Sequence, residues 1–435
     1  MARAAFYTFG CKVNQCETES LIELFINHGF SITDFNNSAD IYIVNSCTVT
    51  NKADYKSREF IRRAYRLNPN AVFIVIGCSV ENYPEKFSDL KFIDYLIGTG
   101  NKMEFFKNNL PNITKQPETK IIKSEPPEYN APVETVLTAF RGHTRSFIKI
   151  QDGCNYQCTY CAVRLARGKS RSKNPDFILN EINNLVRNGF KEIVISGVHL
   201  GLYGKDLSED INLNSLIMLI LKETPVQRIR ISSIDPEDLN DTFIELFKSF
   251  PEQLCRHLHI SFQSFSDKIL SAMKRRNTKK QISNIIFKLR EAVPLINIGG
   301  DIIVGFPGES ENEFLETYNT LSELDINYFH IFPYSKKEGT PAAQFNPQVH
   351  GKIKSSRAVL LKELNRKKRT EFIQRLKNIE LPFLIEIPPS GADTPKGISD
   401  NYLRVAFPGI NPSNYNKIIR GKITKTAPLT GSVIN

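Results

Sequence analysis

The chain has 435 residues, 41% hydrophobic and 24% charged, with a formal charge of +11 and a pI near 9.1. That length predicts two or three domains, and apolar runs no longer than a strand, such as 71–77, exclude a bilayer-spanning helix. The surplus of positive charge favours a polyanionic partner, RNA or DNA first; the alternative is a merely basic proteome.

The N-terminus runs straight into a predicted strand at 4–9 without a signal-peptide core, so a cytoplasmic protein is expected. In that reducing compartment eight cysteines read as ligands or reactive thiols rather than disulfides. Helix periodicity follows at 21–27, a second strand at 41–44, a basic helix at 53–67 and a third strand at 71–76. Cys11, Cys47 and Cys78 each fall just past one of these strands. In an open α/β sheet ligands bind outside the carboxyl ends of the strands, so the three thiols are expected to converge there. Residues 1–114 form this predicted domain, and the polar, proline-bearing stretch 115–138 reads as a linker.

From 139 to 372 strands and helices alternate. Strands are predicted at 147–150, 192–196, 228–234, 258–262, 296–304 and 328–332, with helical patterns between them. Six such units predict a partial (β/α)6 barrel, with chemistry at the carboxyl ends of its strands. Cys154, Cys158 and Cys161 follow the first strand in a C-x3-C-x2-C pattern. Structural zinc takes four ligands, and a protein-held [4Fe–4S] cluster usually takes four cysteines. Three thiolates leave one iron open to a small molecule. The zinc alternative needs a fourth ligand, which Cys255 or one of seven histidines could supply. Cys11, Cys47 and Cys78 make a second set of three, leaving Cys16 and Cys255 as packing residues.

Further along, Gly197, Ser233, Gln263 and Gly305 end later barrel strands, where glycines admit a cofactor and polar side chains hold a ribose or carboxylate. Arg167, Lys169 and Arg171 form part of a basic strip beside the cysteine loop, suited to phosphate. A helix at 352–377, dense in lysine and arginine, leads into a small β-barrel module predicted over 373–435. Both are candidate RNA contacts.

These motifs resemble the methylthiotransferase family of radical S-adenosylmethionine enzymes over nearly the whole chain. The likeness rests on Gly10-Cys11-Lys12-Val13-Asn14-Gln15, Asn45-Ser46-Cys47-Thr48-Val49-Thr50, Gly77-Cys78, Ile150-Gln151-Asp152-Gly153-Cys154, Ala166-Arg167-Gly168-Lys169-Ser170-Arg171-Ser172 and Gly305-Phe306-Pro307-Gly308-Glu309. The tail around Gly397, Asn401, Tyr402 and Asn416 is similar to a TRAM module, an RNA-binding barrel. Gly10-Cys11-Lys12 and Arg230-Ile231-Ser232-Ser233-Ile234-Asp235-Pro236 look like the MtaB-type group, which acts on threonylcarbamoyladenosine in tRNA; other groups act on isopentenyladenosine or a ribosomal-protein aspartate.

The resemblance implies two [4Fe–4S] clusters and S-adenosylmethionine, with tRNA and a reductant such as flavodoxin or ferredoxin as partners. It implies that Cys154, Cys158 and Cys161 hold the cluster that cleaves S-adenosylmethionine, and that Cys11, Cys47 and Cys78 hold the sulfur-carrying cluster. Tyr160, Gly197, Ser233, Gln263 and Gly305 are implied to bind the cofactor, and Arg167, Lys169 and Arg171 the substrate. Two positions depart from the pattern: Cys16 stands where tyrosine is usual, as an extra thiol near the second cluster, and Phe265 stands where glycine is usual, as bulk near Gln263.

Overall fold

The computed structural model describes residues 1–49, 51–100, 102–123, 137–388 and 394–434, with 51–54 described by backbone only. Its first unit is a six-stranded sheet built from β1 (Arg3–Thr8), β2 (Ser31–Thr33), β3 (Ile41–Ser46), β4 (Val72–Gly77), β5 (Tyr95–Ile97) and β6 (Lys120–Ile122). All neighbours pair in parallel, in the order β2-β1-β3-β4-β5-β6. Every residue of β3 and β4 is buried, as a parallel sheet covered on both faces requires. Ile43, Ile74 and Ile76 pack with Leu21 and Phe25 on one face; Tyr42, Phe73 and Val75 pack with Ile61 and Phe87 on the other.

Helix α1 covers Lys12–Asn27, nine residues earlier than the periodicity predicts. Its first turns hide polar residues, Asn14 and Glu17 against Arg167 of the next unit and Thr18 against Thr8 and Asn45, so the apolar repeat is blank there. The helices α2 (Asn51–Leu67), α3 (Cys78–Asn82) and α4 (Lys102–Asn109) complete this layer. The stretch expected to be wholly linker supplies β6, which pairs with β5. Lys120 and Ile121 are exposed, so this edge strand rests on backbone pairing and leaves no apolar pattern in the sequence. The rest of that expectation, 124–136, lies outside the described residues.

In the central unit β7 (Ser146–Asp152), α5 (Val163–Arg167), β8 (Arg171–Ser172), α6 (Pro175–Arg187), β9 (Glu192–Gly197), α7 (Leu213–Glu223), β10 (Arg228–Ile231), β11 (Ser233–Ile234) and α8 (Asp241–Ser249) come first. They are followed by β12 (His257–Gln263), α9 (Asp267–Ala272), α10 (Lys279–Ala292), β13 (Asn297–Val304), α11 (Glu311–Glu323) and β14 (Tyr328–Pro333). The sheet orders β10-β9-β7-β8 and β11-β12-β13-β14 meet at Ser232, between β10 and β11. The result is the expected open array of six parallel strands, with β8 as an added antiparallel edge. Alternation sorts the side chains: Ile229, Ile231, Leu258 and Ile260 join the core under the helices, and Arg228, Arg230, His257 and His259 lie on the opposite faces of their strands.

Helix α12 (Gly351–Arg375) packs on β14. Its row of cations is only partly available to a partner: Arg357 binds Glu309 at 2.7 Å, Lys368 donates to the Leu324 carbonyl at 2.7 Å and Arg375 pairs with Asp325 at 2.8 Å. Beyond it β15 (Glu380–Ile385), β16 (Lys396–Ser399), β17 (Arg404–Ala406), β18 (Ile418–Thr426) and β19 (Leu429–Val433) close a barrel around Phe383, Val405, Phe407 and Ile423. This barrel is seated on the amino ends of the central strands. Arg228 donates to the Ile398 carbonyl at 2.9 Å, Arg230 to that of Asp400 at 2.8 Å, and Asn297 to that of Asn401 at 2.9 Å. No helix among the described residues is long and apolar enough to cross a membrane.

Candidate active site

The strand order of the first sheet reverses between the parallel neighbours β1 and β3, and this switch point carries Cys11 and Cys47 at the carboxyl ends. Gly10, at φ +105°, makes the approach possible: a Cβ there would lie 2.8 Å from the Cys47 Cβ. The Asn14 amide stitches the two loops by donating to the Phe9 carbonyl at 2.9 Å and the Ser46 carbonyl at 3.1 Å. Ser46 Oγ donates to the Ile76 carbonyl at 2.7 Å, tying the Cys47 strand to the one that delivers Cys78.

The second trio hangs on the loop after β7. The Cys154 N–H donates to the Gly168 carbonyl at 3.0 Å and the Cys161 N–H to the Cys158 carbonyl at 3.1 Å. Thr159 anchors the loop to the far wall, its N–H to the Met273 carbonyl at 3.1 Å and its hydroxyl to the Ala272 carbonyl at 2.9 Å. Arg275 extends Nη1 to 3.8 Å from the Cys158 sulfur and pairs with Asp235.

All six thiols line one cavity of about 370 Å³, roofed by the first unit and floored by the barrel. Tyr160, Gly197, Ser233 and Gln263 line it too. A Cβ on Gly197 would lie 2.9 Å from Leu200 and 3.0 Å from the Gln151 amide oxygen, so the glycine also serves internal packing. Gly305 is placed elsewhere. It is not among the lining residues; its N–H donates to Glu309 at 2.7 Å, and a Cβ would strike the Lys354 stem at 2.2 Å, so its freedom serves the seating of α12.

The basic strip also divides. Arg167 is 1% exposed and spent inside the protein: its guanidinium meets Glu17 and Asp152 at 2.9 Å and Asn14 Oδ1 at 2.7 Å. Lys102 and Lys149 join the same carboxylates, so five buried charges bracket α1 to the barrel. Burial pushes Glu17 up, but Arg167 and the two lysines hold it well below the carboxylate range. Arg171 is half-buried with Nη2 3.7 Å from Asp152, and Lys169 alone of the three is exposed. Arg167 lines the cavity, but its guanidinium is already engaged by Glu17, Asp152 and Asn14; exposed cations adjoining lining residues in the chain include Arg164 and Lys336, with Lys169 two residues past Arg167.

Burial pushes the Cys161 thiol up to about 11 and raises Cys78 and Cys158, so a metal must displace protons to bind. The donor set is sulfur throughout, the soft ligand type that selects iron–sulfur clusters or zinc. The fourth zinc ligands that the sequence offered, Cys255 and a histidine, do not join either trio. Cys255 lies buried at the opposite end of the strands, beside Arg230 and Glu192. His199 is the histidine lining the cavity, and Asp235 and Asp238 occupy its two nitrogens at 2.7 and 3.1 Å. Burial would lower its pKa, yet those carboxylates and the Cys154 sulfur hold it protonated. The residues present thus fit two three-thiolate clusters.

The two departures from the family pattern both turn away. Cys16 is buried in the barrel core and Phe265 packs on Phe262; neither lines the cavity. Glu17, Lys102, Asp235 and Arg275 had no spacing signal to mark them, because each is defined by a partner distant in sequence.

Comparison with known proteins matches residues 148–321 to the radical SAM superfamily and 3–98 to uncharacterized protein family UPF0004. Over 98% of its length the chain is 38% identical to a Bacillus subtilis protein named threonylcarbamoyladenosine tRNA methylthiotransferase MtaB, covering 94% of that relative. The chain belongs to the radical S-adenosylmethionine methylthiotransferases.

The Aquifex aeolicus protein of the same name is 37% identical over 88% of this chain and 92% of the relative. A Clostridium novyi tRNA-2-methylthio-N(6)-dimethylallyladenosine synthase is 33% identical over 98% of this chain and 95% of its own. Among solved structures, the radical S-adenosylmethionine methyltransferase TsrM from Kitasatospora setae shares the fold with a TM-score of 0.60 at 15% identity, over 79% of this chain and 77% of that one. As a member of its family this methylthiotransferase uses two [4Fe–4S] clusters and S-adenosylmethionine.

Proposed function

We propose that this methylthiotransferase adds a methylthio group to carbon 2 of N6-threonylcarbamoyladenosine beside the anticodon of tRNA. One observation carries the reading: two separate trios of cysteine face each other across a single cavity. Cys154, Cys158 and Cys161 would hold the cluster that binds S-adenosylmethionine, and Cys11, Cys47 and Cys78 the auxiliary cluster. When bound, these groups supply the radical chemistry, the sulfur and the methyl group that the reaction consumes.

The chain's own residues supply position and electrostatics. Arg275 donates toward the Cys158 sulfur and so favours its thiolate. His199, kept cationic by Asp235 and Asp238, sets a fixed positive charge against the Cys154 loop. Ser233 and Gln263 present polar atoms to the nucleoside part of the cofactor, and Tyr160 gives it an aromatic wall. Exposed Arg164 and Lys336, next in the chain to lining residues, and Lys169 would meet the phosphates of an anticodon loop. The C-terminal barrel is a further RNA contact. A low-potential reductant of the flavodoxin or ferredoxin class and a cytoplasmic location complete the reading.

Nucleoside analysis of tRNA from a strain lacking the gene tests it. Loss of the methylthio form of threonylcarbamoyladenosine is expected. An unchanged level, with loss of the isopentenyl counterpart, would transfer the assignment to the group represented by the Clostridium novyi relative.

A further inference from the structure

Three strands of the central barrel, β12, β13 and β14, bring His259, Asp301 and His330 together, with one ligand atom of each lying within 4.8 Å of the others. Asp301 lines the cavity of the six thiols, and His330 lines a second cavity at the base of the barrel, so the group lies between the two. The register places Asp301 directly opposite His330, and Gly299 opposite both His259 and Tyr328. A Cβ on Gly299 would lie 2.1 Å from the Tyr328 ring, so the glycine lets that phenol cross the strand. Its hydroxyl oxygen lies 3.1 Å from His259 Nδ1 and 2.7 Å from His257 Nε2.

His259 Nε2 lies 2.8 Å from Asp301 Oδ1, and His330 Nδ1 lies 3.4 Å from the same oxygen. Two donors beside a carboxylate can take one oxygen each; here Oδ2 has no partner among the described residues, and neither has His330 Nε2. Two imidazole nitrogens converging on one oxygen is the geometry of three ligands around a shared centre. Tetrahedral zinc holds nitrogen and oxygen at ~2.0–2.2 Å, which sets ligand edges of about 3.3–3.5 Å. The edge at 3.4 Å already has that length, and the one at 2.8 Å has to open by roughly half an ångström. The other ring nitrogen of His259 rests on Tyr328, the outer hydrogen bond that metal-ligating histidines usually make. Burial would raise the pKa of Asp301, but hydrogen bonds from the two histidines hold it below the carboxylate range, so it presents an anion.

We infer that His259 Nε2, the Asp301 carboxylate and His330 Nδ1 bind one first-row transition-metal dication, separate from the two clusters. Two imidazoles and a carboxylate form a donor set that suits zinc or ferrous iron, with no thiolate in it. The cation displaces the proton between His259 and Asp301, and the ring proton left on Nδ1 faces the Tyr328 oxygen. Three protein ligands leave a tetrahedral position open for water or for an oxygen of a bound molecule. The ligands sit on neighbouring strands, so the cation also pins β12, β13 and β14 where Asp301 meets the reaction cavity. Each ligand comes from a different strand, so no His-x-x-x-His spacing marks the set in the sequence.

X-ray absorption at the zinc edge tests this on the full-length, cluster-loaded protein, dialysed anaerobically and given one equivalent of zinc ion. The expected result is about one zinc per chain with nitrogen and oxygen neighbours at ~2.0–2.2 Å, while iron stays at about eight. His330→Ala and Asp301→Asn are each expected to weaken zinc binding about tenfold or more, measured by competition with a chelator. His28→Ala, at another exposed histidine, is expected to leave it unchanged. His330 is exposed, so its variant is readable even if the Asp301 variant fails to fold or to load its clusters. Sulfur neighbours at ~2.3 Å, iron lost as zinc enters, no binding at ~100 µM zinc, or affinity unmoved by His330→Ala would overturn the proposal.

Discussion

Burial raises the pKa of Cys78, Cys158 and Cys161, so sulfurs in both trios remain protonated until a cation of the cluster replaces the proton. That makes cluster loading a property of each trio separately. Cys154→Ala and Cys47→Ala are each expected to halve iron from about eight to about four per chain in anaerobic analysis. Their chemistry should differ: Cys154→Ala loses S-adenosylmethionine cleavage, whereas Cys47→Ala retains cleavage and loses methylthio insertion. Equal loss of cleavage in both would contradict the assignment of the trios. The basic strip likewise divides by residue. Lys169→Ala is expected to weaken tRNA binding and reduce the slope of log affinity against log salt by about 1, measured by filter binding at several salt concentrations. Arg167→Ala should instead cost stability, about 3–5 kcal/mol, because it removes the guanidinium that Glu17 and Asp152 share and leaves two buried carboxylates to Lys102 and Lys149 alone. Sequence spacing treats both residues alike; only the environment separates them.

At the scale of elements, strands were legible wherever a run of Val and Ile is buried on both faces, as in β3 and β4. Elements buried through polar contacts were not. The start of α1 carries Asn14 and Glu17 against the barrel, and β6 is an edge with one half-buried residue. The barrel interior follows the same logic, since its strands alternate apolar with charged residues. Glu192, fully buried, lies between Arg228 at 2.6 Å and Arg230 at 2.7 Å. Burial would raise its pKa, and the arginines overcome this and depress it. A depressed carboxylate contributes stability that is whole above the ordinary glutamate value near ~4.3 and is lost as the pH falls through that value toward the folded one. Glu192→Gln is therefore expected to lower stability at pH 7 by about 3–5 kcal/mol. It should also flatten the acid limb of the stability profile, as followed by urea unfolding between pH 3 and pH 7 (roughly the window of carboxylate titration). An unchanged acid limb would remove Glu192 from that role.

Across the whole molecule the three units form one connected structure. The turn between β16 and β17 caps the amino ends of the barrel strands, and Tyr402 inserts there, its ring 4.7 Å from the Arg230 guanidinium and 4.4 Å from His257. The C-terminal barrel thus has a structural duty beside any contact with RNA. Removing residues 380–435 uncovers Arg228, Arg230 and Asn297, so the shortened protein is expected to melt several degrees lower by calorimetry, with tRNA absent. An unchanged melting temperature would assign the barrel to RNA binding alone.

The chain by itself determined its family, its six cluster-type cysteines and the alternation of strand and helix, because these are written in local spacing and in residue chemistry. Tertiary structure alone decided that Arg167 spends its charge on Glu17 and Asp152, that Gly305 serves a helix, and that Asp235 and Arg275 border the cavity lined by the six thiols. Each of those assignments depends on a partner many residues away, brought near by the packing of α1 into the open barrel and of the C-terminal barrel onto its base. Local sequence specifies what a side chain can do, and the distant groups that desolvate or neutralise it specify which of those things it does.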